Sequence, residues 1–422
     1  RPARSPRRQH RRIGGGRGHL THHRPRFSGA FPDAYTLNPL SRERAALARS
    51  AELLDLTAAN PTEVALTWPD LGSRLAACDG VSSYDPSPGG RPQARAAVEA
   101  YYRDRGVAAP SHRIVLTAST SEAYSWLFTL LAESGDRVAL PTPGYPLCAD
   151  LARLARWRVS SYRLQETPQG WRPNHEDIER ALAAGARAVV AIHPHNPTGA
   201  FLTGEDQRWL QTACAEAGAA LIVDEVFADF PWHAGAPPPE FRYQDSAALL
   251  FVLGGISKAL ALPQLKCSWI ATFGPGDLAT RAVAHLEYVA DTYLSVATPT
   301  QLLLPELLAE RAHIQEQVRT RLTANSDALA RAWPQLSTPR GCGGWWRLCP
   351  LPSTVDDEGF ALTLLRERHT LVHPGYLFDA DQPAVALSLI TPEDTFKAGV
   401  SRLVAAAQAA RDAQGAQAAG RQ

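Results

Sequence analysis

The sequence predicts an α/β protein whose larger part is a mostly parallel sheet of seven strands covered by helices on both faces. Three observations lead there. Between Arg113 and Phe273, short apolar runs rich in β-branched residues alternate with longer helical stretches, as strands joined by crossover helices do. Several of these runs end in polar or ionisable residues, and open α/β sheets bind ligands at the carboxyl ends of their strands. Beyond Pro299 the pattern changes to a long, charged, Leu- and Ala-rich helical region and then to short strands mixed with helices, which reads as a second, smaller unit.

Residues 1–27 hold nine arginines and no acidic residue, so removing them takes the formal charge from +1 to −8. This tail has no apolar periodicity and no apolar core of a secretory signal, and reads as a disordered basic extension; an organelle transit peptide is the alternative. Pro39 to Leu56 turns from helical to extended and leads into the loop Asn60-Pro61-Thr62. Gln93 to Arg105 is an amphipathic helix with Ala and Tyr on its buried face. Strands are expected at Val115–Thr117, Arg137–Leu140, Val159–Arg163, Ala188–Ile192, Ala220–Asp224, Leu249–Leu253 and Ser268–Phe273. Helices are expected to start near Ser121, Cys148, Asn174, Gly204 and Pro275, and a long helical region ends near Trp333. Gly341 to Val404 mixes short strands with helices, and residues 411–422 lack a core face and are expected to fray.

With 422 residues, 45% of them hydrophobic, the chain can bury a large core in one large domain and a smaller one. The longest apolar run, Ala247 to Ile256, is too short to span a bilayer, so no membrane partner is expected. The mildly acidic remainder argues against nucleic acid as a partner of the folded part. Six cysteines lie scattered without metal spacing or a C-x-x-C pair. They read as buried thiols in a reducing, cytoplasmic setting, with neither a metal nor disulfides.

Lys258 closes the run Phe251-Val252-Leu253-Gly254-Gly255-Ile256-Ser257-Lys258. An amine held there, partly desolvated, has a lowered pKa and can attack a carbonyl, although a solvated lysine at a strand end is the plainer reading. Upstream, His193-Pro194-His195-Asn196-Pro197-Thr198-Gly199 follows one apolar run, and a second ends in Asp224-Glu225-Val226-Phe227. An aldehyde cofactor held by a lysine needs an anion beside its ring nitrogen, a donor beside its phenolic oxygen and a cradle for its phosphate. These segments supply the first two.

Six motifs in order carry a resemblance: Tyr84-Asp85-Pro86-Ser87-Pro88-Gly89-Gly90, Thr117-Ala118-Ser119-Thr120-Ser121-Glu122-Ala123, Pro143-Gly144-Tyr145-Pro146, Asn196-Pro197-Thr198-Gly199, Asp224-Glu225-Val226-Phe227 and Ser257-Lys258. From about Leu54 to about Val404 the chain resembles the class I and II aminotransferases, pyridoxal 5′-phosphate enzymes of fold type I. The resemblance implies a large cofactor-binding domain at 73–298 and a small α+β domain made by 28–72 with 299–410. It implies that Lys258 carries the cofactor and moves the proton at the substrate α-carbon, that Asp224 pairs with the ring nitrogen and that Asn196 donates to the phenolic oxygen. Tyr145 would stack on the ring. Ser119, Thr120 and Ser121, with Ser257 and Lys266, would hold the phosphate, a run that by itself signals only a helix start. Tyr84 would reach the phosphate of a neighbouring subunit, which implies a homodimer.

Four departures stand out. Gly255 replaces the first serine of the usual S-x-S-K, Lys266 replaces an arginine, and Phe227 replaces a tyrosine beside the phenolic oxygen. Ala386 stands where family members acting on α-amino acids carry an arginine for the carboxylate, and such a bidentate contact is among the strongest available to it. Arg347, in Gly343-Gly344-Trp345-Trp346-Arg347, is the candidate substitute, and a solvated strand-edge arginine is the alternative. Asn60 is a further candidate for substrate contact. The implied activity is transfer of an amino group between an amino compound and a 2-oxo acid. A β-eliminating lyase on the same scaffold, and a ligand-sensing domain of the kind fused to winged-helix regulators, are the alternatives; no helix-turn-helix segment precedes Tyr84.

Overall fold

In the computed structural model the described residues are 28, 31, 36–47, 49, 51–167, 170–233, 242–336 and 342–419. The basic tail 1–27 lies outside them, as do 420–422. Two compact units partition the chain, Arg1–Thr36 and Leu37–Gln422, and the helices and strands among the described residues lie in the second.

After β1 (Leu54–Asp55) the chain lays down β2 (Ile114–Thr117), β3 (Arg137–Thr142), β4 (Arg158–Thr167), β5 (Gly170–Pro173), β6 (Ala186–Ile192), β7 (Ala220–Asp224), β8 (Leu250–Gly255) and β9 (Ser268–Phe273). It closes with β10 (Trp346–Pro350), β11 (Thr370–Leu371), β12 (His373–Pro374) and β13 (Ala384–Ser388). The main sheet runs β2-β9-β8-β7-β6-β3-β4-β5. Neighbours from β4 through β3, β6 and β7 to β8 are parallel, whereas β9 runs against β8 and β2, and β5 against β4. All seven expected strands are present. The sheet has an eighth, β5, which the sequence hides because four residues bounded by Gly170 and Pro173 pair only as the outer arm of a hairpin with β4.

Successive side chains leave opposite faces of a strand. Val138, Val190, Ile222 and Phe251 therefore pack on one side, under helices Thr120–Leu131, Pro146–Leu154 and Gly276–Tyr293, while Ala139, Val189, Val223 and Val252 belong to the core on the other. Helices His175–Ala183 and Gly204–Ala217 complete the set expected from the sequence, and Pro92–Asp104 buries Ala94, Val98, Tyr101 and Tyr102. The order reverses between β3 and β6, so the loops leaving these strands diverge and open a crevice at the carboxyl edge. Those loops carry Tyr145 and Asn196.

The long helical region is two helices, Thr298–Ala309 and Arg311–Ala332. A small antiparallel sheet, β10-β13-β12, follows, and β1 pairs in parallel with β11, tying Leu54–Asp55 to Thr370–Leu371. The last helix runs Glu393–Ala419, into the segment whose composition suggests fraying; alanine and glutamine are strong helix formers, and the missing apolar face does not stop them. All six cysteines are free thiols. Among the described residues no helix is long and apolar enough to cross a membrane.

Candidate active site

Asp224 ends β7 and is 8% exposed. One carboxylate oxygen accepts the Tyr124 hydroxyl at 3.1 Å and the other the Val226 N–H at 3.1 Å. Burial outweighs these bonds and the Lys258 charge and raises its pKa to about 6.

Lys258 lies on the short helix Ile256–Ala259 that directly follows β8, the strand beside β7. Its ammonium sits 4.8 Å from the centre of the Trp345 ring and 5.6 Å from that of Phe227. This aromatic enclosure desolvates the amine and lowers its pKa to about 8, against the opposing pull of Asp224. The amine thus keeps a usable neutral fraction near neutral pH, as a nucleophile must.

Asn196 lies on the loop after β6 and is buried, and its side-chain oxygen has no hydrogen-bond partner among the described residues. The loop is rigid by construction. The Gly199 N–H donates to the His195 carbonyl at 2.6 Å, and the His195 ring meets the Thr198 hydroxyl at 3.0 Å. Burial pushes His193 and His195 down to about 3, so both are neutral near pH 7. Gly199 has φ 77°, and a Cβ there would stand 2.3 Å from the Trp232 ring. The Gly343 N–H donates to the Gly199 carbonyl at 2.8 Å, and the Trp232 indole to the Gly344 carbonyl at 2.8 Å. These contacts lock the Asn196 loop to the segment that lays Trp345 over Lys258.

Ser119 caps helix Thr120–Leu131, its hydroxyl accepting the Glu122 N–H at 3.1 Å. The Glu122 carboxylate accepts the Ala118 N–H and the Ser295 hydroxyl, both at 2.6 Å, which leaves the first-turn N–H groups of Thr120 and Ser121 as an anion-binding end. Tyr124 lies one turn along the same helix. A single rigid element therefore spans the cradle and the carboxylate.

Tyr145 precedes helix Pro146–Leu154 and is 44% exposed. Ser257 adjoins Lys258. Lys266 is exposed in a left-handed turn, φ 50°, and makes no ion pair among the described residues. Tyr84 is exposed. The Asn60 side-chain oxygen is engaged by Thr62, whose hydroxyl donates to it at 2.9 Å, so its amide serves a local turn. Phe227 is buried beneath Lys258. Arg347 is 5% exposed, its guanidinium 5.0 Å from the Trp232 ring centre. With Pro143, Trp171, Thr198 and Ala384 it lines a cavity of about 580 Å³ beside the loops of Tyr145 and Asn196. Ala386 is fully buried in the centre strand β13, opposite Leu348 and His373 and clustered with Phe378 and Ala384.

Sequence reasoning missed Tyr124, Trp345 and a buried ion pair behind Asp224. There Arg105 donates to Glu225 at 2.6 Å and lies over the rings of Tyr101 and Tyr102 at 5.0 and 5.4 Å. The only signal was a hydroxyl at helical spacing from Thr120, on an otherwise apolar face.

The profile of the family described as aminotransferase class I and II matches residues 50–391. The chain is 27% identical over 351 residues to an alanine aminotransferase of Mycobacterium tuberculosis, spanning 80% of this chain and 81% of the relative. It is 28% identical over 308 residues to capreomycidine synthase of Streptomyces vinaceus, spanning 71% and 75%. Among solved structures, a single-mutant aspartate aminotransferase of Thermus thermophilus matches with TM-score 0.77 at 22% identity, over 91% of this chain and 100% of the other. An alanine aminotransferase of Pyrococcus furiosus matches with TM-score 0.77 at 19% identity, over 86% and 94%.

Proposed function

This chain belongs to the aminotransferase class I and II family and is a pyridoxal-phosphate-dependent transaminase, and from that premise we propose which of its residues carry the reaction. The carrying observation is the Lys258 amine, held under Trp345 with a lowered pKa across from the buried Asp224. The cofactor fits the residues present. Asn196 offers a buried amide whose NH2 can donate, Asp224 a buried anion, and the turn at Ser119, Thr120 and Ser121 a phosphate-sized end. Pyridoxal phosphate, when bound, supplies an aldehyde that takes up the amino group and a cationic ring that draws electrons from the α-carbon.

Lys258 holds the cofactor and, once released, moves the proton at the α-carbon of the donor. Asp224 keeps the proton on the ring nitrogen. Tyr124, donating to Asp224, opposes its neutralisation by burial. Asn196 donates to the phenolic oxygen without help from residue 227, since Phe227 has no hydroxyl. Trp345 and Phe227 exclude water from the amine, and Tyr145 covers the ring from the opposite loop. Ser257 and Lys266 complete the phosphate contacts. Adding the cofactor to purified protein should give a visible absorbance band. Borohydride reduction and peptide mapping should then find the cofactor on the peptide holding Lys258, and recovery on another peptide would remove this assignment.

Tyr124→Phe tests the support of Asp224. Removing a hydrogen bond to a buried carboxylate is expected to raise the Asp224 pKa further and weaken cofactor binding about ten-fold at neutral pH. Binding titrated from pH 5 to 8 should show the acidic limb displaced upward; an unshifted limb would leave Tyr124 a packing residue only.

The donor is an amino acid and the acceptor a 2-oxo acid, and we place the donor carboxylate against Arg347 at the cavity wall. Arg347→Ala is then expected to raise KM for amino-acid donors about 30- to 100-fold, with little change for simple amines. Equal effects on both donor classes would take Arg347 out of the site. Asn60, bound to its own turn, contributes through backbone shape. The exposure of Tyr84 and of Tyr288 supports a homodimer in which Tyr84 reaches the phosphate of the other subunit. Of the proposed domains, a large one at 73–298 and a small one at 28–72 with 299–410, the β1–β11 pairing supports the joining of Leu54–Asp55 to the segment 299–410. Six free thiols support a cytoplasmic location.

A further inference from the structure

Ser268 opens β9, the strand between β8 and β2, and is paired with Gly255 on one side and Thr117 on the other. Residues directly opposite one another in a sheet project from the same face. The Thr117 hydroxyl donates to the Ser119 carbonyl at 3.1 Å, so this face is the one leading into the Ser119–Ser121 turn. On the other side, Gly255 leads directly into Ile256, Ser257 and Lys258. Ser268 thus stands between the two segments proposed to hold the cofactor phosphate.

Its hydroxyl is buried, the residue being 1% exposed, and has no hydrogen-bond partner among the described residues. A buried hydroxyl without a partner is unfavourable, and alanine in its place would remove the problem. The hydroxyl also occupies a particular place. A Cβ built on Gly255 would stand 2.3 Å from the Ser268 Oγ and 3.0 Å from its Cβ, so a side chain at 255 would displace the hydroxyl at 268 from where it stands. Gly255 is the position at which the resemblance calls for a serine.

We infer that the Ser268 hydroxyl is a phosphate-binding group that takes the place of the one missing at Gly255, contributed across the strand pair instead of along the chain. Ser268 then donates to a phosphate oxygen beside the N–H groups of Thr120 and Ser121, and its unmet bonding capacity in the ligand-free chain is that of a waiting donor. The inference rests on the cofactor reading above and specifies its phosphate end.

Two probes that differ only in the phosphate separate the possibilities. Binding of pyridoxal phosphate and of pyridoxal is measured by absorbance titration for the wild type and for Ser268→Ala, with inorganic phosphate as competitor. Ser268→Ala is expected to lose about ten-fold in affinity for pyridoxal phosphate, to keep its pyridoxal affinity within about two-fold, and to be less sensitive to inorganic phosphate. Gly255→Ser alone is expected to bind pyridoxal phosphate worse than the wild type, because its Cβ meets the Ser268 hydroxyl. The pair Gly255→Ser with Ser268→Gly should return toward wild-type affinity. Equal loss for both probes, no loss for either, or no recovery in the pair would overturn the assignment. A wild type that binds neither probe would instead remove the cofactor reading itself.

Discussion

Lys258→Ala is expected to lower transamination by at least about 10⁴-fold, because the proposed mechanism asks one amine to be both covalent anchor and proton carrier. The same substitution should make the cofactor-free protein more stable. The folded-state pKa of Lys258 is lowered from 10.5 to about 8, so the contribution of the residue is fully present above pH 10.5 and is lost as pH falls through 8. At pH 7 the folded chain therefore carries a desolvated ammonium at a cost of about 3 kcal/mol, which alanine removes. Urea unfolding of the two cofactor-free proteins should show the variant ahead at pH 7 and the difference closing above pH 10. A wild type that is the more stable at pH 7 would contradict a desolvated amine, whatever the kinetics show.

Asp224→Asn is expected to lower kcat by about 10²- to 10³-fold, the usual range for removing one preorganised electrostatic partner. Its effect on stability also opposes its effect on rate. Burial raises the Asp224 pKa from 3.8 to about 6, so its contribution is fully present below pH 3.8 and is lost as pH rises through 6. Above pH 6 the cofactor-free wild type carries a buried carboxylate that asparagine does not, a difference of about 2–3 kcal/mol in favour of the variant. The two proteins should unfold alike near pH 4 and diverge by pH 7. Loss of rate with unchanged stability at pH 7 would mean that the carboxylate is solvated and its electrostatic role small.

Much of the sheet is legible in the sequence because its central strands are buried on both faces, which leaves unbroken apolar runs such as Val189–Ile192 and Leu250–Leu253. β5 is illegible because an outer hairpin arm needs no such run. Lys258, Asp224 and Asn196 lie within a few residues of strand ends, so local pattern locates them. Tyr124 and Arg105 do not: their partners Asp224 and Glu225 stand 100 and 120 residues away in the chain. Such pairs are set by how helices settle on a sheet, which periodicity does not encode. Ser268 is hidden for a related reason, since only strand register sets it against Gly255.

The flush packing around Ala386 closes that position to a charged side chain. A guanidinium placed there would enter a filled layer between Leu348 and His373, against Phe378, with overpacking of about 1–3 kcal/mol before the penalty for an enclosed charge. Substituting Ala386 by arginine alone would strain the strand without aligning the fork. A redesign of donor preference therefore has its room at the wall of the 580 Å³ cavity, where Arg347 and Ala384 stand, and none in the middle of β13.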